Sequence, residues 1–295
     1  MKKNELRSQL SLIVNNLKKF SGEKIVIKCG GKMLDNEEQM KAFANDIATL
    51  NAFGIVIILV HGAGKIRLDS MLEKLGLENN FTNGYRVANK EGIEIVEMVM
   101  SGSINTSILK YLLEQKIHAI GLSCKDGNLV SVKRIRRTKK DESSNLEKII
   151  DLGFVGDPVA SNVEFLSDLL ETYNCVPVIS PMAFDDKFST YTINADVLAC
   201  YLGEVMGAKR VVIMSENYSI KSDIGFINGD IDVKRLQQMI DDSDIDENIL
   251  IRLNACMNAV KNGVEKVHIV NTELENALIE ELSSDISHST AIYSE

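Results

Sequence analysis

Short apolar runs that end in glycine recur along the chain, and each is followed by a stretch of helical period. Ile25-Val-Ile27 runs into Lys28, Gly30, Gly31 and Lys32, and Ile55–Val60 runs into His61-Gly-Ala-Gly-Lys65. A β-branched run of this kind, bounded by glycines, predicts a buried parallel strand. Met40, Phe43, Ile47 and Leu50 share one face of a helix over 37–52, and a helix follows the second glycine loop through Leu75. A long helix over about 91–115 turns Ile95, Val96, Val99 and Met100 inward, and 118–122 is a third strand. Leu129–Val132 opens a hairpin that returns through 151–158, before a helix at 163–172 and a strand at 176–180. Tyr191–Asp196 opens a helix that runs through Met206 and stops at Gly207, as a C-terminal glycine would stop it. Beyond it come a strand at 210–214, helices at 232–241 and 247–262, a strand at 266–270, a helix at 273–283 and a strand at 290–293. Strands alternating with helices predict an α/β fold, a parallel sheet with helices on both faces. Ligands of such sheets sit at the carboxyl ends of the strands, where both glycine loops fall.

The first twenty residues carry a different pattern. Leu6, Leu10, Ile13, Leu17 and Phe20 recur at spacings of four and three, an apolar stripe on a helix over 4–20. This helix precedes the first core strand. It is either an oligomerisation helix, giving a homodimer or homohexamer, or a helix docked on its own domain.

Composition narrows the partners. The chain has 295 residues, 45% apolar and 25% charged, enough for a large core or two domains. Its net charge of −9 argues against nucleic-acid binding by bulk charge. Lys133–Lys140 is rich in lysine and arginine, but no aromatic residue interleaves, so a solvated hairpin is the expected setting. The five cysteines, Cys29, Cys124, Cys175, Cys200 and Cys256, form no C-x-x-C pair. Such scattered thiols suit a reducing, cytoplasmic setting. No apolar run reaches membrane-spanning length, and the amino terminus lacks the core of a secretion signal.

The candidate chemistry begins at Lys28. Gly30 and Gly31 leave backbone N–H groups open to an anion, and Lys28 and Lys32 add charge, as at a phosphate site. The Walker spacing is absent. The same residues also suit a tight turn with surface lysines. Arg86, within Asn83–Val87, suits a carboxylate or a surface ion pair. Asn194 and Asp196 suit a site, or a helix cap and a first-turn acid.

Taken in order, IVIKCGGK, ILVHGAGK, NGYRV, IEIVEMV, LSCKDG, DLGFVGDP, VPVISP, YTINAD and VHIV resemble the N-acetylglutamate kinases of the amino acid kinase family. The resemblance runs from about residue 22 to the end. It implies an open three-layer αβα sandwich, with residues 22–207 binding an acylamino acid, 208–295 binding ATP with Mg²⁺, and 1–21 forming the extra helix of the arginine-inhibited, hexameric members. The implied reaction phosphorylates a side-chain carboxylate. Lys28 matches the lysine on the transferred phosphoryl, Gly30 and Gly31 the backbone donors to phosphate, and Asp196 the aspartate that orients the lysines. Ala63 and Gly64 match a substrate-contacting glycine pair, Arg86 the arginine on the substrate α-carboxylate, and Thr192 and Asn194 the polar positions of N-x-N-A-D.

The departures are equally specific. Ala63 stands for a glycine and Thr192 for an asparagine. Arg252 stands for the second catalytic lysine, without the family's preceding glycine pair. Ser215 and Glu216 open a stretch that replaces T-D-x-x-G at the nucleotide, and Ser287–Thr290 lacks the glycines that surround bound arginine in the inhibited members. Three functions are compatible: a kinase of N-acetyl-L-glutamate, a kinase of a related acylamino acid, and a regulatory homologue without catalysis.

Overall fold

The protein is represented by a computed structural model that describes residues 3–77, 80–82, 85–87, 89–140, 147–216, 220–222, 225–227, 229–243, 245–284 and 289–294. Helix α1 (Lys3–Lys18) leads to strand β1 (Lys24–Cys29), a 3-10 turn (Gly31–Asp35), α2 (Glu37–Ala52) and β2 (Val56–His61). Then come α3 (Lys65–Lys74), the short strands β3 (Asn80–Thr82) and β4 (Tyr85–Val87), α4 (Lys90–Glu97), a π-helical turn (Met98–Ile104), α5 (Asn105–Glu114) and β5 (Ala119–Ser123). A long hairpin, β6 (Val130–Lys140) and β7 (Glu147–Ser161), precedes α6 (Val163–Tyr173), β8 (Val176–Ser180), β9 (Met182–Phe184) and β10 (Thr190–Thr192). The last part holds α7 (Ala195–Val205), β11 (Arg210–Ser215), β12 (Ile220–Ser222), β13 (Gly225–Ile227) and β14 (Gly229–Asp232). It closes with α8 (Val233–Asp241), α9 (Glu247–Lys261), β15 (Lys266–Asn271), α10 (Ala277–Ser283) and β16 (Thr290–Tyr293).

Eight strands form the central sheet in the order β14-β16-β15-β11-β1-β2-β8-β5. Every neighbouring pair is parallel except β15 with β16. Strands β9, β6, β7 and β10 close into a second small sheet. Side chains alternate across the main sheet. Ile25, Ile27, Ile57, Leu59, Val212 and Met214 pack under α2, α5 and α10, while Val26, Ile58, Val60, Val211 and Ile213 pack under α7 and α9. This is the three-layer αβα arrangement, and a buried parallel strand needs apolar residues on both faces.

Local chemistry sets the element ends. Asn36 caps α2 by accepting from the N–H groups of Glu38 and Gln39 at 3.0 and 3.1 Å. Asn174, in the left-handed region at φ 43°, ends α6. The helix expected over 91–115 is interrupted by the π-helical turn, where Ser101, Gly102 and Ser103 lower helix propensity. The helix expected over 273–283 starts only at Ala277. Asn271 Oδ1 accepts from Glu273 N at 2.9 Å, and Asn276 adopts φ 57°, so a turn takes the first residues instead. Strands β9, β10 and β14 lie in stretches where no strand was expected, as does the β12–β13 hairpin. Of the turn expected over Asn83–Val87, Tyr85–Val87 is strand β4, paired with β3, while Asn83 and Gly84 lie outside the described residues, as do Ser287 and His288.

The apolar stripe of α1 is used unevenly. Leu17 and Phe20 are buried and Ile13 packs against the core, but Leu10 is 53% exposed. The side chain of Leu6 lies outside the described residues. Asn16 Nδ2 donates to Ser283 O at 2.6 Å and ties the helix to the end of α10. The helix therefore docks on its own domain through its last turn. No helix among the described residues is long and apolar enough to cross a membrane. Replacing Leu17 by Ala is expected to cost about 2–4 kcal/mol in urea denaturation of the isolated chain, while Leu10→Ala stays within about 0.5 kcal/mol.

Candidate active site

Strands β1, β2 and β11 end side by side, and the alternation of β1 decides where Lys28 faces. Ile25, Ile27 and Cys29 enter the α2 layer, so Val26 and Lys28 face α7 and α9. Lys28 Nζ lies 2.8 Å from Asp196 Oδ1. Arg252 Nε donates to Asp196 Oδ2 at 2.7 Å, and Arg252 Nη1 donates to Ser215 Oγ at 2.9 Å. Ser215 ends β11 on the face that carries Val211 and Ile213. One carboxylate thus holds two cations drawn from a strand and a helix of different parts of the chain.

Helix α7 delivers that carboxylate. Asn194 caps it, accepting from Asp196 N at 2.9 Å and Val197 N at 3.3 Å, and Asp196 follows in the first turn, where the helix dipole favours an anion. Asp196 is 6% exposed and Lys28 8%. Burial alone would raise the Asp196 carboxyl, but Arg252 and then Lys28 overcome it and hold the group well below the usual carboxylate range. Burial works against the Arg252 charge, and Asp196 more than offsets it. The three groups keep one net positive charge at the strand ends, in a setting where water screens little.

The first glycine loop borders this charge. A Cβ on Gly30 would stand 2.9 Å from Lys28 Nζ, and Gly31 has φ +68°. Glycine therefore keeps both the space beside the ammonium and the left-handed turn. Glu216 reaches across from the end of β11. Its Oε1 accepts from Lys32 N at 3.0 Å, and its Oε2 lies 3.1 Å from Lys32 Nζ. At the position expected to contact nucleotide, Glu216 buttresses the glycine loop.

The second loop is set by a residue that carried no role in the sequence. His61 is buried, its Nδ1 lies 3.0 Å from Gly62 O, and Asn105 Nδ2 lies 3.2 Å from its Nε2. A carbonyl needs a donor, so the proton sits on Nδ1 and Nε2 accepts from the amide. Burial pushes His61 down to about 4, which keeps it neutral. Asn105 also donates to Val178 O at 2.8 Å. The signal for Asn105 was present: it shares a helix face with Ile108 and Leu112, where a lone polar residue must find partners. Gly64 caps α3, and a Cβ there would stand 2.9 Å from Asp35 Oδ1. Ala63 is half-buried against the α2-side core. Thr192 ends β10, paired with Val155 and Met182, two residues before the α7 cap. Arg86 lies in β4, and its side chain falls outside the described residues.

Lys28, Asp196, Arg252 and Ser215 are therefore in direct contact, and Gly30, Gly31 and Glu216 border them. Residues 23–271 match the model of the amino acid kinase family. The chain belongs to the amino acid kinase family. Among full-length relatives, it is 35% identical over 295 residues to the acetylglutamate kinase of Rhizobium leguminosarum bv. trifolii, covering 99% of each chain. It is 36% identical over 276 residues to that of Sinorhizobium fredii, covering 94% of this chain and 93% of the relative. Among solved structures, the N-acetylglutamate synthase of Neisseria gonorrhoeae, with coenzyme A and N-acetyl-glutamate, superposes with a TM-score of 0.81 at 17% identity. That match covers 98% of this chain, which spans 63% of the synthase. A carbamate kinase from Giardia superposes with a TM-score of 0.64 at 10% identity, over 92% of this chain and 99% of the kinase. At such identities the likeness shows the fold alone, the amino acid kinase fold.

The pH dependence of the triangle has a definite sign. The Asp196 carboxyl is lowered from 3.8, so its contribution is complete above that pH and is lost as pH falls through it towards the folded value. Asp196→Asn, which leaves Lys28 and Arg252 buried without an anion, is expected to cost about 3–5 kcal/mol near neutral pH. Urea titrations should show the gap to the native chain narrowing only below about pH 4.

Proposed function

We propose that the chain transfers the γ-phosphoryl group of ATP to the γ-carboxylate of N-acetyl-L-glutamate, giving an acyl phosphate and ADP, a step of arginine biosynthesis. The observation that carries the reading is the buried Lys28–Asp196–Arg252 triangle beside a glycine loop at the carboxyl ends of parallel strands. Relatives named acetylglutamate kinase, 34–36% identical along most of both chains, support this substrate over a related acylamino acid and support catalysis over a purely regulatory role.

In the forward step a carboxylate oxygen of the acceptor attacks the γ-phosphorus, and the bond from that phosphorus to the β–γ bridging oxygen breaks. Both partners are anions, and the transferred group carries spread charge, so positioning and charge neutralisation supply most of the catalysis. Lys28 and Arg252 supply the two cations. Asp196 holds them at a fixed separation and keeps them from repelling each other apart. Arg252 takes the place of the family's second lysine: its Nε is engaged with Asp196 and Nη1 with Ser215, which aligns the planar fork. Gly30 and Gly31 present backbone beside the phosphates, with Glu216 fixing the turn.

Among the described residues no group of three or more His, Cys, Asp or Glu is arranged to hold a metal. Mg²⁺ would therefore arrive with the nucleotide and would supply charge neutralisation at its phosphates, beside Lys28 and Arg252. The acceptor's α-carboxylate falls to Arg86, its acyl group to the Ala63–Gly64 loop, and its remaining polar contacts to Thr192 and the amide nitrogen of Asn194. In this reading residues 22–207 bind the acylamino acid and 208–295 the nucleotide. Leu10, Leu12 and Val14, exposed on α1, support assembly into homo-oligomers through the first helix.

Lys28→Ala is expected to lower kcat by about 10²–10³ in acyl-hydroxamate formation from ATP, Mg²⁺ and N-acetyl-L-glutamate. Full activity in that variant would remove Lys28 from the mechanism. Arg252→Lys restores the family's usual residue but leaves Ser215 without its guanidinium partner. It should keep more activity than Arg252→Ala, by roughly tenfold in kcat. In a panel of N-acyl amino acids the acetylglutamate should give the highest kcat/KM, and a clear preference for another member would overturn the substrate assignment.

A further inference from the structure

Two motifs of the sequence, Ile93–Val99 and Leu122–Gly127, take no part in the charge triangle, yet the fold brings them together. Lys125 follows the end of β5, in a turn held by its own side chains. Ser123 N and Oγ both donate to Asp126 Oδ2, at 2.6 and 3.0 Å, and Lys125 N donates to Ser123 Oγ at 3.3 Å. The Lys125 side chain is only 12% exposed. Its Nζ pairs with Glu97 Oε1, donates to Thr190 Oγ1 at 2.8 Å and lies 4.4 Å from the centre of the Phe184 ring. An ammonium has three N–H groups, and a carboxylate, a hydroxyl and a ring face are three partners for them.

These partners sit on separate elements around the acceptor-binding residues. Glu97 ends α4. Asn89, two residues past β4, caps that helix by accepting from Gly92 N at 2.7 Å, so α4 continues the strand that carries Arg86. Thr190 opens β10 and pairs directly with Phe184 of β9. Side chains alternate along a strand, so Thr190 and Thr192 share one face of β10. Helix α4 packs against β10, and Lys125 joins the two through Glu97 and Thr190. A buried ion pair adds little stability over an apolar side chain of similar size. What this one adds is a fixed separation between the element that follows Arg86 and the face that bears Thr192.

We propose that Lys125 is a positioning residue that sets the span of the acceptor pocket, and so the length of dicarboxylate it accepts. The proposal rests on the acceptor assignment above, in which Arg86 holds the α-carboxylate and Thr192 a further polar group. Lys125 spends its donors on the protein, so it acts through Glu97 and Thr190 and not by gripping the acceptor. In a pocket of fixed span, one methylene more or less changes kcat/KM by about 10–200-fold. A pocket whose walls can shift loses part of that discrimination, because small displacements of binding groups carry large costs in rate.

The test is the acyl-hydroxamate assay at saturating ATP and Mg²⁺, with N-acetyl-L-glutamate and, separately, N-acetyl-L-aspartate, which is one methylene shorter. Lys125→Met keeps the apolar stem and removes the ammonium. It should lower the ratio of the two kcat/KM values by about fivefold or more, mainly through a higher KM for acetylglutamate, while the KM for ATP stays within about twofold. Glu97→Gln should lower the ratio in the same direction. An unchanged ratio in Lys125→Met, a rise in KM shared equally by ATP, or a ratio raised by Glu97→Gln, as a freed lysine gripping the acceptor would give, overturns the proposal. Should Lys125→Met fail to fold, Thr190→Val, which keeps the β-branched shape and removes the hydroxyl, carries the same test beside Glu97→Gln. A native chain that phosphorylates neither acceptor overturns the acceptor assignment and this proposal with it. A native chain that uses N-acetyl-L-glutamate, with the ratio unmoved in the variants, overturns this proposal alone.

Discussion

One buried carboxylate between two cations holds the strand ends together. Without Asp196, Lys28 and Arg252 would be like charges confined where water screens them poorly, and each would carry its own desolvation cost. With it, β1, α7 and α9 are tied to one point, and Ser215 of β11 joins through Arg252. The arrangement retains a positive charge that the protein itself does not neutralise. That residue of charge is what the proposed phosphoryl transfer calls for at this site.

The surrounding structure follows from this constraint. Lys28 can meet Asp196 only because a strand alternates, and only because Val26, two positions earlier, fixes which face is which. Asp196 stays ionised while buried because Arg252 and Lys28 flank its carboxylate, and a place in the first turn of α7 suits an anion as well. The glycine loop must pass beside an ammonium with no Cβ in the way, and its left-handed turn is clasped by Glu216. On the other side of β2, a neutral histidine and a buried amide lock the second loop. Each loop is thus held by side-chain hydrogen bonds, which suits loops that must present backbone to a ligand in a defined pose.

Much of this was legible in the sequence. The helix over 37–52, the strands before both glycine loops, and the placing of Lys28, Asp196 and Arg252 at one site follow from periodicity, glycine spacing and family resemblance, and the structure brings those three side chains into contact. What was not legible depended on tertiary partners. The short strands β9 and β10 exist because the β6–β7 hairpin is there to pair with them, and three residues carry no period of their own. The break at Met98–Ile104 and the late start of α10 reflect local hydrogen bonding that competes with helix, which an apolar stripe does not reveal. The Lys125 contact is hidden for the same reason: in sequence Glu97 and Lys125 stand in separate motifs, and only the tertiary fold brings their charges together.

The strand order also bears on how the protein is made. Strand β1 is synthesised early, yet its partner on one side, β11, begins at Arg210, far along the chain. Until then β2, β8 and β5 can assemble on the other side of β1 and leave Lys24–Cys29 as a bare, apolar sheet edge. An uncovered edge of this kind invites pairing with other nascent chains. The strand that carries Lys28 therefore gains its second neighbour in the sheet only once β11 has been made.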